Sequence, residues 1–367
     1  MSGIGRKAAS IVSLLVLLSG CATTGPQKVA EILWPPPPET PRIKFVGVLR
    51  NQEDLRALQG GKSGREWFEE ALLGPKKVTS ALLQPMGLAL SRDGTRLYLT
   101  DYAKPDVLVF DFATKHVRSL GGNGGGCQSP LGVAVDAADN LYIVDSTPKR
   151  IRVFSPSGAA LRTISHESLE RPTGIAVDAA RDRIYVADSA TASAKQHVIR
   201  VFDLAGTYLY ALGGEGSAGG PLAFPTYLTV DGQGQLYVAD TVNGRVQVFD
   251  SEGRYVKTVG ERGDAFGMFD KPKGIALDSF GNLYVVDSSW SNVQIFNQQG
   301  AVLLYFGGRG KVPGLLFNPT GIAISQDNRI FVADAFNARI AIYQLINTKA
   351  EDSFASLKPS AAGTTKP

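Results

Sequence analysis

Residues 225–250 read PTYLTVDGQGQLYVADTVNGRVQVFD, and units of this construction occur six times along the chain. Each opens on Pro followed by small and apolar residues: PMGLALS at 85, PLGVAVD at 130, PTGIAVD at 172, PTYLTVD at 225, PKGIALD at 272 and PTGIAIS at 319. After a turn comes a run ending in Asp, LYLTD, LYIVD, IYVAD, LYVAD, LYVVD or IFVAD. This sets Asp101, Asp145, Asp188, Asp240, Asp287 and Asp334 at intervals of 44, 43, 52, 47 and 47 residues. The period lies slightly above the ~40–45 residues of a four-stranded propeller blade, a unit that buries its faces only against neighbours.

Runs of Val, Ile, Leu, Tyr and Phe alternate with Gly, Pro, Asp and Asn, the punctuation of strands and turns. Three runs stand in every unit, and a fourth follows in five of them, at 117–120, 161–164, 209–212, 256–259 and 303–306. The sixth unit ends at Tyr343 without one. An unpaired edge there would expose a row of backbone donors and acceptors. Residues 42–49, RIKFVGVL, form an isolated strand-like segment upstream, and pairing it beside 340–343 completes the sixth blade. The expected fold is all-β: a six-bladed β-propeller of four-stranded antiparallel blades over 85–345, its last blade closed by an N-terminal strand.

The phrases Pro-Thr-Gly-Ile-Ala-Val-Asp at 172, Leu-Tyr-Val-Ala-Asp at 236 and Asn-Gly-Arg-Val-Gln-Val-Phe at 243 resemble NHL repeats. The resemblance covers residues 85–345 and implies a six-bladed propeller. It says much less about activity, because one fold hosts unrelated functions.

At the start of the chain, Arg6 and Lys7 precede an apolar run over 8–18 and then Leu18-Ser19-Gly20-Cys21. These are the parts of a secretory signal, and the run is too short to span a bilayer as a mature helix. Leu-Ser-Gly-Cys resembles a bacterial lipobox, which implies lipidation of Cys21, loss of 1–20 and an exported, membrane-anchored lipoprotein. Ala22 and Thr23, in place of Asp after the cysteine, imply the outer membrane in a two-membrane host. Cys127 is then the one remaining thiol, so no internal disulfide is expected. Without Arg6 and Lys7 the chain holds 36 basic and 34 acidic residues, and 85–345 holds 24 and 25. That balance offers no broad field for a phosphate backbone, so no nucleic-acid partner is expected.

Residues 21–41 form a lipid-anchored leader with Trp34-Pro35-Pro36-Pro37-Pro38, a stiff extended stretch. It reads as a spacer off the membrane, or as a strip that docks on a partner with Trp34 as anchor. The leader resembles those of bacterial NHL lipoproteins, some encoded near multihaem cytochromes, which implies an envelope cytochrome complex as one candidate partner. Residues 42–84 hold the closing strand and a short helical insertion, placed at 65–73 by Trp67, Phe68, Ala71 and Leu72 and stopped by Gly74-Pro75. Residues 346–367 carry almost no large apolar groups and read as a disordered tail.

The six strand-ending aspartates resemble a metal or acid set, but recurrence in every unit points to a structural role, satisfying backbone donors of the following loop. Asp136, Asp178, Asp231 and Asp278, ahead of the first turn, read the same way. Arg150, Arg245 and Arg339, five residues beyond those aspartates, have donors for loop carbonyls or a neighbouring Asp. The glycine-rich segments at 121, 213, 260 and 307 lack the following helix and Lys-Ser or Lys-Thr of a phosphate cradle. His116, His166 and His197 are scattered. They do not reproduce the histidine cluster of the amide-lyase propellers, and no Glu or Asn interrupts the first-strand pattern to supply a lactonase-type cation site. No catalytic residue, metal ligand or cofactor is assigned. The departures from the repeat are Tyr102, Trp290 and Phe336, in loops of the consecutive blades 1, 5 and 6, and an insertion in blade 3 carrying Lys195 and His197. On one face these five residues would form a contact surface for an envelope protein or ligand. The expected function is a non-enzymatic binding scaffold, with a propeller hydrolase or lyase of lactonase or amide-lyase type as the alternative.

Overall fold

Every run ending in Asp is a strand buried along almost its whole length, as in Leu141–Asp145, Leu236–Asp240 and Leu283–Asp287. A strand covered on both faces calls for a continuous apolar run instead of alternation. The cover comes from the neighbouring blades. The computed structural model describes residues 31–59, 81–120, 124–189, 197–214 and 220–348, and in it blades 1 to 5 are four-stranded antiparallel sheets in simple chain order. Blade 4 runs from the inner strand Pro225–Val230 through Leu236–Asp240 and Arg245–Phe249 to the outer strand Tyr255–Val259. Each inner strand touches those of both neighbours, the first against the sixth, which makes a closed six-bladed β-propeller.

The core is divided accordingly. Six apolar clusters fill the six interfaces; one joins Tyr98 and Val109 of blade 1 to Leu141 and Ile143 of blade 2, and another joins Leu88 and Leu97 of blade 1 to Phe331 and Ile340 of blade 6. The pairing of inner and second strands shifts register in every blade just after the opening proline, for instance between Pro85 and Leu88 and between Pro319 and Ile322. Proline has no N–H to give to a ladder, so the irregularity falls where the ladder bond is already lost.

The sixth blade is closed as its missing strand requires. Ile43–Leu49 pairs antiparallel with Arg339–Leu345, with Phe45 opposite Tyr343 and Leu49 opposite Ile340. A bulge between Phe45 and Gly47 leaves Val46 exposed, while Ile43 and Leu49 are fully buried. The blade then goes one strand further than expected. Leu33–Trp34 pairs outside Ile43–Leu49, giving five strands. Trp34 therefore belongs to the propeller and is neither spacer nor free anchor: its ring packs 5.8 Å from Tyr343 and 6.1 Å from Phe306. The expected leader loses its part from Leu33 onward to the fold, because an apolar ring beside an open groove between two blades gains more from burial than from exposure.

A helix at Gln52–Gln59 follows the clasp. Asn51 caps it by accepting from the amides of Glu53 and Asp54, Leu55 is buried, and the Arg50–Asp54 pair ties its first turn to the strand at 2.7 Å. Asn51 ahead of Leu55 and Leu58 was the available signal for it. The helix expected at 65–73 and the tail from 349 onward lie outside the described residues.

If the clasp carries closure, Ile43→Ala costs about 2–5 kcal/mol, read as a lower urea midpoint. Val46→Ala, three residues along at the exposed bulge, stays within about 0.5 kcal/mol. Equal effects at the two positions would contradict the closing role.

Candidate functional site

The hub is set by one residue per blade. Gly87, Gly132, Gly174, Gly274 and Gly321 sit where an added Cβ would lie 2.2–2.6 Å from a backbone carbonyl oxygen of the next blade. Only glycine permits that approach. Blade 4 breaks the ring with Tyr227, which lines the channel and whose phenol burial pushes well above its ordinary pKa. From Tyr227 a cavity of 330 Å³ follows the inner strands to their far ends at Leu90, Val135, Val177, Val230, Leu277 and Ile324. At the other end stands Lys273, which burial and the nearby Lys271 push below the ordinary lysine range, with Asp287 acting in the opposite sense. Tyr227 and Lys273 escaped the sequence reading, although the signal was legible as Pro-Thr-Tyr among five Pro-x-Gly and as Lys in the second position of one unit.

The loop face is held by the strand-ending aspartates. Asp101 accepts from the amides of Leu83 and Gln84, Asp145 from Gln128 and Ser129, and Asp188 from Glu170 and Arg171, at 2.6–3.2 Å. These donors precede each unit's opening proline, whereas the sequence pointed to the loop after the Asp. That loop supplies the smaller share, such as Ser289 and Trp290 onto Asp287. Burial raises the pKa of Asp287 and Asp334 above the usual carboxylate value, against the pull of the amides they accept. The arginines behave as expected: Arg150, Arg245 and Arg339 bond Asp145, Asp240 and Asp334 at 2.7–2.8 Å. In blade 3, where Val198 replaces the arginine, Arg200 enters from two residues along and meets Asp188 at 3.2 Å. At the opposite face Asp136 and Asp278 bind their own turns and the tyrosines of their second strands.

With the strand-ending aspartates committed to the frame, the loop face also exposes large apolar groups. Tyr102, Trp290 and Phe336 are 48, 43 and 57% exposed. They follow the second strands of blades 1, 5 and 6, which are neighbours, so all three stand on one face along one arc. Leu83, Val242 and Val312 extend it. Phe336 is partly stapled, edge-on to Phe317 at 5.3 Å with Arg309 over the same ring. His197 does not join the arc: it is buried, its ring 4.1 Å from Phe224. Lys195 and Cys21 lie outside the described residues. Cys127 is buried and its thiol is pushed up to about 12, as an inert packing residue requires.

Neither His116, bonded to Gln52, nor His166, stacked on Tyr208, faces the channel. Among the described residues no group of three His, Cys, Asp or Glu is arranged to hold a metal. The hub residues of a lactonase-type cation site would be carboxylates and amides. Here those positions are glycine, aliphatic residues, Tyr227 and Thr229, and they do not fit such an ion.

Comparison with known proteins agrees with this fold. The NHL repeat profile matches residues 222–249, and that of the SMP-30/Gluconolactonase/LRE-like region matches residues 73–191. No curated protein sequence matches the chain. Among solved structures, a streptogramin B lyase is 14% identical with a TM-score of 0.54, over 73% of this chain and 95% of that one. A gluconolactonase from Xanthomonas campestris is 19% identical with a TM-score of 0.57, over 72 and 86%. A nidogen/laminin complex contains a chain 21% identical with a TM-score of 0.52, over 68 and 84%. At these identities the likeness is one of fold.

The structural role of the aspartates has a direct test. Asp240→Ala leaves Arg245 without its carboxylate and the amide of Ala223 without its acceptor. The expected loss is about 3–5 kcal/mol in a urea titration. A variant as stable as the parent would contradict the role.

Proposed function

We propose that the propeller is a binding module of the cell envelope, tethered through a lipid on Cys21, that engages a protein partner through the arc of Tyr102, Trp290 and Phe336. The observation that carries this reading is the placement of three large aromatic side chains, each close to half exposed or more, on one face of three consecutive blades. Aromatic residues of this kind dominate binding energy at protein interfaces. The strand-ending aspartates of this face are spent on the frame of the loops, which leaves the arc as its largest exposed apolar feature. The nidogen/laminin complex supports the reading to the extent that a similar propeller occurs in an assembly between proteins.

The second reading is a hydrolase or lyase acting in the channel. It is favoured by the SMP-30/Gluconolactonase/LRE-like match over 73–191. The apolar and glycine lining of the hub weighs against the metal-dependent form of that chemistry.

In envelopes carrying the full chain, Tyr102→Ala, Trp290→Ala and Phe336→Ala combined should reduce recovery of a chemically crosslinked partner by roughly tenfold or more, while the thermal midpoint stays near that of the parent. Undiminished recovery would overturn the binding face. Turnover of lactones by purified protein, lost on substituting Tyr227, would favour the enzyme instead.

A further inference from the structure

On the face opposite the arc, blades 2, 4 and 5 each carry the same bond: Tyr142, Tyr237 and Tyr284 of the second strands reach Asp136, Asp231 and Asp278 of the first turns at 3.2–3.5 Å. The seam between blades 6 and 1 has no such pair, because blade 6 carries Ser325 and Phe331 at those positions and blade 1 turns on Ser91. A cavity of 460 Å³ lies there, floored by Leu90, Phe112, Ile324 and Phe331 and rimmed by polar groups that include Arg92 and Arg329. The rings of Phe112 and Phe331 are 5.8 Å apart. On the rim, Asp93 is taken up by the Ser91 and Thr95 hydroxyls and the Thr95 amide at 2.6–2.9 Å. Asp327 accepts from Ser325 and lies 3.9 Å from Arg329. Arg92 is exposed and, among the described residues, bonds through its backbone alone, the amide donating to Asp139 and the carbonyl accepting from Gln326.

We propose that this cavity is the docking site of the chain's own C-terminal segment, with Phe354 on the phenyl floor and Glu351 and Asp352 against Arg92 on the rim. The chain leaves the propeller beside the cavity: Gln344 donates to the carbonyl of Asp327 at 2.8 Å, and the amide of Leu345 to that of Asn328 at 3.1 Å. The described chain ends at Thr348, and Phe354 is six residues further on, a reach of up to about 20 Å. From 349 onward Glu351 and Asp352 are the only acids, and Phe354 and Leu357 the only large apolar residues. The segment thus sets one anionic pair beside one aromatic ring, the complement of an uncommitted guanidinium over an aromatic floor. So short a tether holds Phe354 near the cavity at an effective concentration on the order of millimolar, and a contact too weak to hold a free peptide then suffices. Docked there, a segment that continues blade 6 rests on Leu90 and Phe112 of blade 1, and so adds a tie across the seam at which the ring closes.

The test places the photoreactive analogue p-benzoylphenylalanine in place of Phe354 in the full chain and maps its crosslinks by mass spectrometry. Crosslinks within one chain to residues 90–94, 112 or 324–331 are expected. Arg92→Glu is expected to lower their yield roughly 2- to 5-fold, and Glu351→Lys with Asp352→Lys in that background to restore it. The thermal midpoint of Arg92→Glu should stay near that of the parent, since its side chain holds nothing in the frame. Mixing ¹⁵N-labelled with unlabelled chains separates the sources of the segment. Crosslinks that join heavy to light chains put a second copy's tail in the cavity and overturn docking within the chain, and crosslinks to another envelope protein do the same. Crosslinks scattered over the surface, or none, overturn the site itself. Crosslinks that stay in the cavity but ignore both charge changes overturn the role given to Arg92.

Discussion

A blade of this propeller is apolar on both faces, and no blade can bury both unless the ring closes. Closure is therefore the constraint on which everything else depends, and it is met by two contacts distant in sequence: Ile43–Leu49 on Arg339–Leu345 within the last blade, and the apolar cluster between blades 6 and 1. The second contact depends on the first, since Leu49 and the helix residue Leu55 belong to that same cluster. Trp34 extends the seam by covering Phe306 and Tyr343, so the segment that leads into the propeller also helps to lock it.

Once the ring is closed, its residues divide by whether they recur. What repeats builds the frame: glycines that let neighbouring blades touch at the hub, aspartates that gather the amides ahead of each inner strand, and arginines that neutralise those aspartates. In blade 3 Arg200 reaches Asp188 from another position where the usual arginine is absent, whereas blades 1 and 5 carry Asp106 and Asn292 there. What does not repeat includes Tyr102, Trp290 and Phe336 on the loop face and Tyr227 in the channel. The channel is lined here by a phenol, glycine and aliphatic side chains.

The sequence made the frame legible because six copies of one pattern average out local ambiguity, and because a missing strand must be supplied from somewhere. The same regularity hid the centre. Tyr227 is a single departure inside a well-formed unit, and its place in the channel appears only when the inner strands are brought together. Trp34 misled for a different reason: four following prolines describe an extended chain equally well in solvent or against a blade, and only the groove between blades 5 and 6 decides between them. His197 misled likewise, since a loop insertion predicts exposure until its ring is seen against Phe224. The aspartates were assigned their role but only the smaller set of their donors, because most amides they gather lie 16 to 18 residues upstream.

The claim that the early strand fastens the ring is tested most directly by amide hydrogen exchange on the full chain. The ladder amides of Ile43–Leu49 and Arg339–Leu345 should be protected to a degree similar to those of Leu283–Asp287 in the middle of blade 5. Rapid exchange throughout 43–49, with blades 1 to 5 still protected, would show that the ring holds without its clasp and would contradict the account.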